Sequence, residues 1–284
     1  MATATQTNAI QVQRVRALIV PREHGAWGML LVPLATGAGL GLLNDGRIFP
    51  LVLFIAFALV LFWLRTPVES LLHTSPMRAQ TEAERRIVLQ TILWLASVSI
   101  LSLTALLREL NTVMFVLLGA IAVLAFVGQA LLKQLARNLR MSAQVVGALG
   151  LTYSAPAAYY VMTGHFDLQA AALWLANWLF AGDQIHFVQL RIHAARAVGW
   201  KQKLERGRIF LLRQFGMAIL LGLAVYYRLL PGLAVIAFVP VIFRGSVWFG
   251  QKPRPLAVRR LGWTELAHAL AFGILLVGGF RHAH

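Results

Sequence analysis

Nine apolar runs follow one another along this chain, and they constrain its fold more than any single motif does. They lie at about Ala26–Leu43, Ile48–Leu64, Ile87–Leu107, Thr112–Leu132, Ala143–Thr163, Leu168–Gly182, Ile209–Tyr227, Leu229–Val247 and Glu265–Phe280. In a bilayer every backbone N–H and C=O must be satisfied internally, so such runs cross as helices of roughly 20 residues. Several are shorter, and their ends are expected to extend into the flanking polar residues. Of the 284 residues 59% are hydrophobic and 13% charged, against about 25% charged in an average soluble domain. The expectation is an all-α integral membrane protein with nine transmembrane helices.

Residues 1–20 read as a polar, basic tail with no long apolar core and no processing site, so no cleavable signal is expected. Residues 21–284 read as a single transmembrane domain. Tight connections at Asn44–Arg47, Arg108–Asn111, Gly164–Asp167 and Arg228 alternate with longer basic ones at Arg65–Arg86, Lys133–Ser142, Arg191–Arg208 and Arg244–Gly262. The face carrying the N-terminus and the long connections holds 22 Lys and Arg; the other holds Arg47, Arg108, Arg228 and Arg281. The positive-inside rule then puts the N-terminus in the cytoplasm and the C-terminus outside, in a cytoplasmic (inner) membrane. The net charge of +16 reads as orientation and attraction to anionic lipids. It is dispersed between apolar runs, which argues against a nucleic-acid partner. With no cysteine, thiolate chemistry and disulfides are excluded.

Ionisable residues are costly near a bilayer core and mark sites when they gather there. The densest gathering is Asn177–His193, where an apolar helix ends in Asp183, His186, Arg191 and His193. Glu69 and His73 follow the second run, Lys133 and Arg140 the fourth, Arg22 and His24 precede the first, and Glu265 and His268 open the ninth. All fall on the face assigned to the cytoplasm, above an apolar interior, which suits an amphiphile with an isoprenoid or other lipid tail. Asp183 and His186 differ by about 60° around a helix and so share a face. Asn177, Gln184 and Arg191, seven apart, form a polar stripe that lines a cavity or bonds to neighbouring helices. The pairs Glu69/His73 and Asp183/His186 have helical spacing, and carboxylate with imidazole suits a transition metal.

The stretch PREHGAWGMLLVPLATG, Pro21 to Gly37, resembles the opening signature of the YwiC-like membrane protein family. More distantly, the nine-run layout resembles the UbiA-type intramembrane prenyltransferases. LLKQLARNLRMSAQVVGALG, Leu131 to Gly150, is similar to their basic loop and helix-opening glycine, and HFVQLRI, His186 to Ile192, to the His-Phe motif of the haem O synthase branch. The aspartate-rich motifs of those enzymes are reduced here to Glu69 and Asp183.

The UbiA-like resemblance implies a helical bundle around an apolar cavity with a cytoplasmic polar cap, which binds or prenylates an isoprenoid, quinone or haem-type substrate. In that reading Glu69, Asp183 and His186 would be the catalytic residues. Mg²⁺, or alternatively a transition metal, would sit at Glu69 and Asp183 with His73 and His186 in reach; haem, the other alternative, would meet His186. Arg22, His24, Arg65, Lys133, Arg140, Asn177 and Arg191 would meet the substrate. The alternative is a non-catalytic binding or assembly protein that has lost the metal motifs; a small-solute transporter stands third.

Overall fold

The computed structural model describes residues 12–21, 24–72, 77–110, 112–135, 140–195, 197, 199–252 and 256–282; at 24–26, 112, 118, 130, 133–135 and 140 only the backbone is described. Regular structure among the described residues is entirely helical. In chain order come α1 (12–19), α2 (His24–Leu43), α3 (Ile48–Leu71), α4 (Glu82–Glu109), α5 (Thr112–Leu135), α6 (Arg140–Thr152), α7 (Ser154–Thr163), α8 (Leu168–His193) and α9 (Trp200–Tyr226). A 3-10 segment, Gly232–Phe238, leads into α10 (Val239–Gly250), and α11 (Val258–Arg281) follows.

Five helical stretches are long and apolar enough to cross a membrane: α3, α4, α9, the continuous Gly232–Gly250 and α11. Trp27–Leu43 and Val113–Gln129 are shorter apolar helices. Large apolar side chains stand exposed along α4 and α5, among them Leu93, Trp94, Leu101, Val113 and Leu124. Water would not tolerate so much exposed apolar surface on either helix, but lipid does. The chain is a multi-pass, all-α membrane protein.

Several boundaries depart from the sequence expectation for local reasons. The fifth run is divided at Tyr153 into α6 and α7. Pro156 lacks the N–H that would bond to the Thr152 carbonyl, and its ring crowds that carbonyl, so the helix yields one turn earlier. Conversely, α8, α9 and α11 run well past their apolar cores into the basic connections, leaving only 194–199 and 251–257 between them. The helix α3 likewise continues through buried Pro67 to Leu71, so Glu69 is helical. The stretch 12–19, expected as part of a polar tail, is helical, with Ala17 and Leu18 buried.

The chain divides into two compact units. The first comprises Met1–His24 and Ile48–Thr112. Here Leu18, Ala79 and Val88 form a small core. Thr81 caps α4 in a capping box, its hydroxyl accepting from the Glu84 amide while Glu84 reaches back to the Thr81 amide. The Glu84 carboxylate also accepts from Arg14 Nε at 2.5 Å, which fastens α1 to the start of α4. Trp63 Nε1 donates to the Ile19 carbonyl at 2.6 Å.

The second unit comprises Gly25–Arg47 and Val113–His284. Its core gathers α2, α7, α8, α9, α10, α11 and the 3-10 segment around Tyr159, Leu173, Phe180, Phe238 and Phe272, with Phe180 and Phe272 stacked at 4.1 Å. Small residues on α2 permit the closest approach. A Cβ on Gly37 would stand 2.0 Å from the Ala155 carbonyl oxygen of α7, and one on Gly41 would meet the Met162 side chain. The helix α7 is buried from Ser154 to Met162. It ends at Gly164, whose left-handed φ of 75° lets its N–H reach the Tyr160 carbonyl. Asp167 then caps α8 through the Ala170 amide and accepts from the Tyr159 hydroxyl at 2.9 Å. This hairpin fixes where α8 starts, and therefore how deep its polar residues lie.

Candidate functional site

Sixteen positions into α8, the apolar helix turns a carboxylate inward. Asp183 is buried, and an isolated ion there would be strongly disfavoured. Three other helices answer it. From α10, Arg244 Nη2 donates to Asp183 Oδ2 at 2.7 Å. From α9, Gln214 Nε2 donates to Oδ1 at 3.2 Å. From α11, Glu265 presents its Oε2 to Arg244 Nη1. One guanidinium thus bridges two carboxylates, all three side chains being 8% exposed or less.

The surroundings hold this arrangement in place. The Arg244 guanidinium lies over the Phe187 ring at 4.0 Å, a favourable placement for a desolvated cation. Gln184 Nε2 donates to the Glu265 backbone carbonyl at 2.9 Å. Gly245 leaves room for Gln214, since a Cβ there would come within 2.5 Å of its amide nitrogen. Yet, among the described residues, Arg244 Nε and Glu265 Oε1 are buried without a hydrogen-bond partner.

The sequence-derived candidates are distributed as follows. His186 is half-buried on α8, and Arg213 Nη1 of α9 lies against its ring, 2.5 Å from Nε2. A guanidinium only donates, so the imidazole offers it a lone pair. His193 is exposed and engages the Gln189 carbonyl. Asn177 is buried higher in α8; its Nδ2 donates to Thr36 Oγ1 of α2 and to the Leu173 carbonyl, while its Oδ1 has no partner among the described residues. Half-buried Arg191 lines a small cleft with buried Lys203, exposed Lys252, Trp248 and three alanines. Lys203 Nζ is aimed by the Trp248 carbonyl at 3.1 Å and by the Gln251 carbonyl, and it lies near the Trp248 ring.

Glu69 belongs to the first unit, where Arg65 Nε donates to it at 2.8 Å on the same helix. Arg22 and His73 lie outside the described residues, as do the side chains of His24, Lys133 and Arg140.

Three residues of the candidate site escaped the sequence reading: Arg244 and Lys203, both assigned to basic loops, and Gln214. Glu265 was noted without a partner. The missed signal is that Asp183 and Glu265 are carboxylates embedded in apolar stretches, so each requires a cation from another helix. Arg244, flanked by VPVIF and GSVWF, is a cation in such a stretch.

Among the described residues no three or more His, Asp or Glu side chains are grouped to hold a metal ion. Magnesium takes oxygen ligands. Both oxygens of Asp183 already face nitrogen donors, and Arg244 supplies the charge the ion would bring, so this donor set does not fit a divalent ion.

Residues 20–159 match the YwiC-like protein family. The resemblance read from Pro21–Gly37 is thereby borne out. The YwiC-like stretch takes in α2 to α6 and the first part of α7, whereas Asp183, Arg244, Glu265 and the Arg191 cleft all lie beyond it. No curated protein matches the chain.

Proposed function

We propose that this protein binds the anionic head of an isoprenoid or similar amphiphile at the cytoplasmic face of the inner membrane, without catalysing prenyl transfer. The observation that carries this reading is the cleft at the end of α8, where Arg191, Lys203 and Lys252 converge with no carboxylate among the lining residues. Guanidinium and ammonium groups recognise phosphate through charge-assisted hydrogen bonds, and Lys203 is already oriented by two carbonyls. Leu256 and three alanines give the cleft an apolar wall against which the start of the tail would lie. The orientation follows from the partition of 22 Lys and Arg against four.

Prenyl transfer is the less favoured outcome because both carboxylates that would bind its metal are engaged by arginines, Glu69 by Arg65 and Asp183 by Arg244. The test is binding of farnesyl diphosphate to the protein in lipid nanodiscs, with and without magnesium. Binding independent of magnesium, weakened about tenfold or more by Arg191→Gln, is expected; one lost charge-assisted contact is worth about 1.5–3 kcal/mol. Unchanged affinity in Arg191→Gln, or turnover of the diphosphate, would overturn the reading.

A further inference from the structure

We propose that Asp183, Arg244 and Glu265 form an intramembrane proton-binding site that holds one exchangeable proton between the two carboxylates. The first support is the charge count. Two buried carboxylates are in contact with a single guanidinium, so full ionisation places two negative charges on one directly bonded cation, with Arg191 acting on Glu265 only at longer range. A low-dielectric interior disfavours that state, and the accessible remedy is protonation. The second support is geometric and independent. Among the described residues, Asp183 receives donors on both oxygens, while Glu265 receives one on Oε2 and none on its buried Oε1. The cluster therefore has an oxygen available for an O–H bond, with the proton drawn from and returned to water. Because the carboxylates are coupled through one cation, the proton belongs to the pair.

The neighbouring charges set its occupancy. On α8, Arg191 is within electrostatic reach of Glu265, and His186 faces Arg213 of α9. On α11, His268 Nδ1 engages the Thr264 carbonyl at 2.6 Å. Gln184 and Gln214 contribute neutral amides. Arg191 is the cation that favours release of the proton, and it lines the open cleft. The site goes beyond amphiphile binding: a buried carboxylate pair that gains and loses a proton is the element from which proton-coupled movement of a solute or a helix is built.

Infrared difference spectroscopy of the full chain in nanodiscs, in H2O and D2O, tests this without any added ligand. The parent should show the carbonyl stretch of a protonated carboxylic acid at neutral pH, deuterium-sensitive and lost on alkalinisation. Glu265→Gln and Asp183→Asn should each abolish it, because either leaves one carboxylate balanced by Arg244. Arg191→Gln should move its loss to higher pH. Thermal unfolding close to that of the parent establishes that each variant is folded, and if one fails to fold the other decides. The proposal is overturned if the parent lacks the band at neutral pH, or if the band survives in a folded Glu265→Gln or Asp183→Asn protein.

Discussion

Arg65–Glu69 and Arg244–Asp183/Glu265 are both arginine–carboxylate pairings inside helical units, yet they answer different demands. The first joins residues one turn apart on α3, with side chains 24% and 34% exposed. It forms wherever the helix forms. The second draws on α8, α10 and α11, with side chains no more than 8% exposed, and exists only when three helices have packed. A partly exposed partner left behind is still reached by solvent, whereas removing one in the interior strands a charge. The same chemical pair is thus incidental in one unit and a condition of folding in the other.

The largest effect expected from this contrast is that of Arg244→Gln, which leaves two carboxylates without their cation. Thermal or denaturant unfolding in detergent should show a loss of about 3–5 kcal/mol, the usual cost of breaking a buried ion pair. Lowering the pH should restore part of it, because protonated carboxyls no longer need the guanidinium. A loss under about 1 kcal/mol would mean the triad is no more structural than the pair on α3.

An intermediate effect is expected at the start of α4, where Thr81 closes a capping box. Thr81→Ala should cost about 1 kcal/mol and increase hydrogen exchange in the first turn of α4, as followed by mass spectrometry. No change there would place the anchoring of α4 entirely on Glu84 and Arg14.

The smallest effect belongs to Glu69→Gln, which should cost no more than about 0.3–0.5 kcal/mol, the range of exposed i,i+4 pairs. Raising the salt concentration should erase the difference between Glu69→Gln and the parent while leaving the Arg244→Gln deficit largely in place, because exposed pairs are screened and buried ones much less so. A large, salt-resistant loss from Glu69→Gln would collapse the distinction between the two pairings.

What could be read from the chain follows the same division between local and tertiary causes. Helices in a membrane protein announce themselves by hydrophobic runs, and every expected run overlaps a helical element. The cluster ending α8 was visible because Asp183 and His186 stand in an apolar context. Arg244 was not, because counting arginines for orientation assigns those at the edge of a run to the adjoining loop, and only packing reveals that its side chain turns inward. Lys203 was hidden for the same reason, since α9 begins nine residues before the run at Ile209. The break at Tyr153 was legible in Pro156, but hydrophobicity averaged over the run concealed it.

The 3-10 segment before α10 has a bearing on hydrophobic matching. Gly232–Gly250 has only 19 residues, which as a uniform α-helix would extend about 28 Å, marginally short of a hydrocarbon layer about 30 Å thick. Winding its first seven residues as 3-10 helix raises the rise there to about 2.0 Å per residue and lengthens the whole to about 32 Å. The tighter coil lets a short stretch of sequence reach across the bilayer, so that Arg244 can remain inside while α10 still emerges at its far end to supply Gln251 and Lys252 to the cleft.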